Sequence, residues 1–171
     1  MKCFQTIFFL FLFQVGFSQQ NIFDIARKGT VPELNNAILP NQKVIDSIDS
    51  RGFTPLILAC YRGNTEVAKE IIKKTKLINY ASPNGTALAA TVMSEKIELA
   101  NELLKNKGNP NIVDTNGLSP LMLAIQFQKI DFIELFLKYG ASKTILDKSG
   151  KSVFEYAVFS KNEQIINLLK I

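Results

Sequence analysis

Three aspartates at matching places, Asp49, Asp114 and Asp147, are the residues of this chain that most invite a chemical reading, because carboxylates held close together can divide acid and base work. Little else supports that reading. The chain contains no histidine, so Ser–His–Asp and Cys–His nucleophile systems cannot be built in their usual form, and the commonest metal ligand is missing as well. Of the two cysteines, Cys60 lies in an apolar helical run and reads as a small buried hydrophobe, while Cys3 falls at the start of the apolar first residues. No Gly-rich phosphate loop occurs; Asn84-Gly85 and Asn116-Gly117 are turn signals. Asn84-Gly85-Thr86 spells a glycosylation acceptor, but its place in a turn makes that coincidence. The expectation is a protein that is not an enzyme, with no catalytic residue, no metal and no cofactor.

The aspartates belong to a repeat. Asp49-Ser50-Arg51-Gly52-Phe53-Thr54-Pro55-Leu56 returns as Asp114-Thr115-Asn116-Gly117-Leu118-Ser119-Pro120-Leu121, and again from Asp147 to Phe154. A fourth copy, Ala81-Ser82-Pro83-Asn84-Gly85-Thr86-Ala87-Leu88, lies between the first two. Leu56, Leu88, Leu121 and Phe154 follow one another at intervals of 32, 33 and 33 residues (88 − 56, 121 − 88, 154 − 121). Such a period marks a stack of small supersecondary units. Within each copy the Asp-to-Gly stretch predicts a tight turn. The Thr or Ser that follows, with Pro after it in two copies, predicts a capped helix start. Apolar residues then recur at helical spacing, as in Leu56, Ala59 and Cys60. A break comes at Gly63, Glu95, Gln128 and Lys161, and a second apolar helix follows, as in Val67, Ala68, Ile71 and Ile72. One such unit cannot bury its apolar face alone, so the units must stack.

These residues resemble the ankyrin repeat: the Gly-x-Thr-Pro-Leu start, the two helices and the Tyr139-Gly140-Ala141 ending all match that family's pattern. The resemblance implies an all-α fold, an ankyrin-repeat solenoid of about five stacked helix-turn-helix units joined by β-turn or hairpin loops. The units are placed at about 21–48, 49–80, 81–113, 114–146 and 147–171. It also implies that the aspartates brace turns. The chain departs from the pattern where the family's usual His after Pro-Leu is replaced by Ile57, Ala89, Met122 and Glu155, and where Ala87 stands for Pro. The ends are expected to act as caps. Ile22 to Gly29 and the helix carrying Val31, Leu34, Ala37 and Ile38 form a first unit without its turn. Leu39 to Ile48 connects it onward, and Asn162, Glu163, Gln164, Asn167 and Lys170 turn a polar side to solvent.

What the resemblance implies about function is binding of a partner protein in the concave groove formed by turn tips and first helices. Carried onto this chain, the partner-binding residues are Arg51, Phe53, Tyr61, Arg62, Met93, Asn116, Leu118, Gln126, Phe127, Lys148 and Phe159. Tyr61, Met93, Phe127 and Phe159 place one large apolar side chain just before the break of every unit from the second to the fifth. An exposed apolar row of that kind marks a binding surface.

Apolar residues form 47% of the chain and charged residues 20%, the profile of a folded soluble protein. The net charge of +5 is spread as single lysines, without the concentrated basic face that nucleic-acid binding needs. Met1-Lys2, the apolar run from Phe4 to Phe17 and the small residues Gly16 and Ser18 have the arrangement of a cleavable secretory signal over 1–18, leaving a repeat domain over 19–171. The run is shorter than the roughly 20 residues a membrane span takes, so no stable membrane insertion is expected after cleavage. Together with the Phe, Ile, Lys and Asn bias, the leader is similar to those of secreted bacterial proteins. The expected function is therefore a secreted or periplasmic, non-enzymatic interaction module whose partner is another exported or envelope-associated protein, acting as scaffold, inhibitor or protective partner. The alternatives are an anchored platform, if the leader is uncleaved, and a groove for a small molecule or glycan.

Overall fold

The computed structural model describes residues 21–170, so the leader expected over 1–18 lies outside the described residues. Ten α-helices among the described residues fall into five pairs: α1 (Ile22–Lys28) with α2 (Val31–Ile38), α3 (Pro55–Arg62) with α4 (Thr65–Ile72), α5 (Ala87–Met93) with α6 (Ile97–Lys105), α7 (Pro120–Gln126) with α8 (Ile130–Lys138), and α9 (Val153–Ser160) with α10 (Glu163–Leu169). First helices pack on first helices of the adjacent pairs, α1 on α3, α3 on α5, α5 on α7 and α7 on α9. Second helices form a parallel series from α2 to α10. The molecule is an all-α repeat solenoid, and its pairing elements among the described residues are two isolated bridges within hairpins.

The local chemistry that starts each unit is uniform. Thr54, Thr86, Ser119 and Ser152 accept hydrogen bonds from the backbone N–H groups of Ile57, Ala89, Met122 and Glu155 at 3.2, 3.4, 3.2 and 3.2 Å. A hydroxyl in that position meets one of the four N–H groups a helix start leaves unpaired, a contribution of about 1 kcal/mol. The family's histidine position is thus filled in three units by side chains that are buried, Ile57, Ala89 and Met122. In the fifth it is filled by Glu155, which completes a capping box by accepting from the Ser152 N–H at 2.6 Å.

The aspartates brace hairpins. Oδ1 of Asp49 accepts from the N–H groups of Arg51 and Phe53, that of Asp114 from Asn116 and Leu118, and that of Asp147 from Ser149 and Lys151, all between 2.7 and 2.9 Å. In each case Oδ1 serves the backbone of its own hairpin. In the third unit Ser82 takes the same place and its hydroxyl donates to Gly85 O at 2.8 Å, across a hairpin of four residues instead of five. That single residue explains the uneven period. From each cap to the next brace the chain always runs 28 positions (82 − 54, 114 − 86, 147 − 119), and the hairpin alone changes length.

Between units a second polar ladder appears that the sequence reading did not anticipate. Asp46 accepts from Thr75 and from the Lys76 N–H; the Asn79 amide donates to Lys107 O and accepts from the Asn109 N–H; Asn111 does the same with Gly140 O and the Ser142 N–H. Each of these residues stands three positions before a brace, and each clamps the loop of the following unit. At the N-terminal end Asn64 reaches back to Gly29 O at 2.9 Å.

The core is a continuous apolar seam, with Leu34, Leu56, Ile71, Leu99, Leu103, Leu121, Ile125, Ile133 and Phe136 among its fully buried members. Each such side chain contributes about 1.5–3 kcal/mol relative to exposure. Ala59, Ala124 and Ala157 are fully buried where first helices meet. Thr91 occupies that position in the third unit, and its buried hydroxyl donates to Leu88 O at 2.7 Å. Cys60 is likewise fully buried, and burial pushes its thiol up to about 12.

The structure differs from expectation at both ends. The connection from Leu39 to Ile48 is not plain loop: a 3₁₀ turn at Gln42–Asp46 inserts Ile45 into the core. At the other end, α10 carries the expected polar residues, but α9 does not complete the cap. Phe154 and Val158, whose counterparts in the fourth unit are the buried Leu121 and Ile125, are 41% and 48% exposed. No described element lies over them.

Candidate partner-binding groove

Residues at equal distance before the break of each first helix occupy the same face of the stack, since the helix turns by a fixed angle of about 100° per residue. Counting back from the breaks fixes the register, because the backbone adopts left-handed φ at the same place in four units: +67° at Gly63, 57° at Glu95, 53° at Gln128 and 55° at Lys161. Two positions before these residues stand Tyr61, Met93, Gln126 and Phe159, and two before Gly29 stands Arg27. Tyr61, Met93 and Phe159 are 51%, 46% and 69% exposed. Phe127 is exposed as well, but it caps α7 at the register of Arg62, one residue further on. The expected apolar row is therefore interrupted at the fourth unit, where Gln126 occupies its register.

The first part of this row borders an open groove of about 650 Å³. Of the residues expected from sequence, Arg51, Phe53, Tyr61, Arg62 and Met93 are brought together around it; Asn116, Leu118, Gln126, Phe127, Lys148 and Phe159 are not. Its inner wall is apolar, with Ile57, Leu58, Ala89 and Ala90 nearly buried and Leu123 half-buried. Arg27, Asn84, Thr86 and Asp114 complete the lining. Arg27 escaped sequence reasoning because the first unit lacks the hairpin by which the others align; the Gly29 break would have found it.

The charges in the groove are not equivalent. Arg27 pairs with Asp24 at 2.8 Å and with Asp49 at 3.6 Å, and Arg51 reaches Asp49 at 3.3 Å while its guanidinium lies 5.4 Å from the centre of the Phe53 ring. Burial would raise the Asp49 carboxyl, but the bonds from Phe53 and Arg51 outweigh it and hold the group below its ordinary value. The Arg62 guanidinium has no ion pair or hydrogen bond with any described residue and stands exposed beside Tyr61.

At the opposite end the same kinds of residue engage one another. Lys151 Nζ sits 5.0 Å from the centre of the Tyr156 ring and 4.9 Å from that of Phe159. Tyr156 donates its hydroxyl to Asp147 at 2.7 Å; burial first, and this bond second, push its phenol up to about 12. Hydrogen bonds from the Ser149 and Tyr156 hydroxyls hold Asp147 well below the usual carboxylate range.

Among the described residues there is no group of three or more His, Cys, Asp or Glu side chains that could hold a metal ion, and no helix long and apolar enough to cross a membrane. The family model described as ankyrin repeats (3 copies) matches residues 22–108 and 87–170. The chain is 38% identical over 82 residues to a putative ankyrin repeat protein of Acanthamoeba polyphaga mimivirus, covering 45% of this chain and 19% of that protein. It is 35% identical over 82 residues to a potassium channel of Arabidopsis thaliana, covering 48% of this chain and 10% of the channel. A putative ankyrin repeat-containing protein of Treponema pallidum (strain Nichols) is 27% identical over 125 residues, covering 72% of this chain and 42% of that protein. The similarity thus spans under half the length of each of these relatives.

Proposed function

The chain belongs to the ankyrin-repeat family, whose members are in general protein–protein interaction modules, and on that premise we propose that it binds another protein through its concave face and catalyses no reaction. The observation that carries this reading is the groove in which Tyr61 and Met93 stand half-exposed over an apolar wall, next to an arginine that has no partner within the described residues. Large side chains left in water at that density cost the free protein burial it could have had, and a partner that covers them recovers it. Phe127 and Phe159 extend the candidate surface toward the last units. With its leader-like first residues, the protein is proposed to be exported, secreted or periplasmic, and to act there as scaffold, inhibitor or protective partner of another exported protein.

The test is to express the tagged chain in its own cells, fractionate them, crosslink, and identify what co-purifies beside a Tyr61→Ala, Phe127→Ala, Phe159→Ala variant of unchanged helicity. One exported protein recovered with the native chain and lost with the variant supports the reading. The same protein recovered with both moves the site off the concave face, and recovery of the chain in the cytoplasm removes the exported role.

A further inference from the structure

We propose that the groove between the first and fourth units takes an acidic–apolar peptide segment, one that presents an Asp or Glu side chain within two residues of an aromatic or large aliphatic side chain. The inference rests on the concave-face reading and adds the chemistry of the partner. Three arginines, Arg27, Arg51 and Arg62, line the groove against one carboxylate, Asp114. Oδ1 of Asp114 already accepts from two backbone N–H groups of its own hairpin. Two of the arginines are tied to Asp24 and Asp49, which fixes their position and partly neutralises them. Arg62 is left with its full charge and five unused donors, and a guanidinium of that kind matches a carboxylate in a two-bond fork.

The apolar side of the segment is specified by the wall. Tyr61 and Met93 stand on successive first helices at one register, above Leu58 and Ala90. A ring or branched side chain laid between them meets the Tyr61 face and the adaptable thioether of Met93, with no charged group of either sign set into that wall. A basic segment would set its charge against the unpaired Arg62 and gain no compensating contact from the ion-paired Arg27 and Arg51, and is disfavoured. The recognition pairs one carboxylate on Arg62 with one apolar anchor between Tyr61 and Met93.

The full chain, immobilised, would be panned against a random twelve-residue peptide library, and the selected peptides measured by fluorescence anisotropy against Arg62→Glu and against a Tyr61→Ala, Met93→Ala double variant. All three altered side chains are exposed, and circular dichroism is run on each variant to check that it folds. Selected peptides rich in Asp or Glu next to an apolar residue, weakened at least tenfold by Arg62→Glu and by the double variant, support the proposal. A fresh selection on Arg62→Glu that enriches Lys or Arg at the same distance from the apolar anchor supports it further. Peptides without acidic bias that ignore Arg62→Glu but are lost with the double variant overturn the acidic inference and leave the concave-face reading intact. Peptides indifferent to both variants, or no enrichment at all, overturn both.

Discussion

The first three units and the last two carry comparable residues at one register and use them differently. In the first set Arg27, Tyr61 and Met93 flank a groove, with Tyr61 and Met93 open to water, Arg27 ion-paired and Arg62 unpaired. In the last two the register holds Gln126 and then Phe159, and the Phe159 ring is already covered on one side by Lys151, which also covers Tyr156. The neighbouring hydroxyl, carboxylate and ammonium groups form a closed set in which each has a partner. Exposure alone therefore misjudges a repeat surface. Phe159 is more exposed than Tyr61 or Met93, yet a ligand that stacked on it would compete with a cation the chain supplies itself. Tyr61, less exposed, has no such competitor within the described residues.

The largest test of this contrast is by binding. Removing Tyr61 and Met93 together is expected to weaken groove-selected peptides about 100-fold, equivalent to about 2.7 kcal/mol, whereas Phe127→Ala with Phe159→Ala should cost less than about tenfold. Equal losses measured by anisotropy would erase the distinction between the halves.

A second test separates them by stability. Gly117 adopts φ +80° and a Cβ there would lie 2.8 Å from Lys148 N and 2.9 Å from Asp147 Cα, so the fourth and fifth hairpins stack on a missing side chain. Gly117→Ala is expected to cost about 2–3 kcal/mol in urea unfolding, from left-handed strain plus overlap with backbone that cannot swing away. Gly150, at φ +83° with nothing nearby, should cost about 1–2 kcal/mol for the strain alone. Groove affinity should survive both changes, since neither glycine borders it.

Acid provides a third. Asp147 and Asp49 hold their protons less tightly in the folded chain than at the ordinary value of 3.8. Below that value the unfolded chain binds more protons than the folded one, so stability rises with pH in this window. It is fully present above it and lost as pH falls through the lower folded values. The thermal midpoint should fall between pH 5 and 2, and Asp147→Asn should flatten that fall. An unchanged slope in the variant would show that the closed set at the fifth hairpin contributes nothing in acid. The smallest expected change is a gain: Lys161→Gly relieves left-handed backbone at an exposed side chain and should add about 0.5–1 kcal/mol to stability.

Much of this architecture can be read in the residues because it depends on local chemistry. The Thr and Ser caps, the aspartate braces and the breaks after each first helix act within four positions of themselves, so short motifs disclose them. Even the departures obey the same rule, as when Ser82 closes a shorter hairpin. The Asp46, Asn79 and Asn111 clamps were not legible, since their partners lie about 30 residues away and the position accepts either Asp or Asn. The uncovered Phe154 and Val158 escaped for a related reason. Their pattern is that of an interior unit, and only the arrangement of neighbours shows what lies over them. The groove was half legible: Tyr61, Arg62 and Met93 stand where the repeat places them, but Phe127 was assigned to the row although it sits one residue out of register, and Arg27 was omitted for want of a hairpin to align.

The fixed run of 28 positions between each cap and the next brace, against a hairpin of four or five residues, divides the chain into a gauge and a gap. Between these units the one change of length falls at a tip, in the hairpin that Ser82 closes, and the run from cap to brace is untouched. The tips carry Arg51, Phe53 and Asn84, which border the groove. Changes that redraw the binding edge are therefore the ones the solenoid tolerates best, and specificity in such a molecule can drift while its frame stays still.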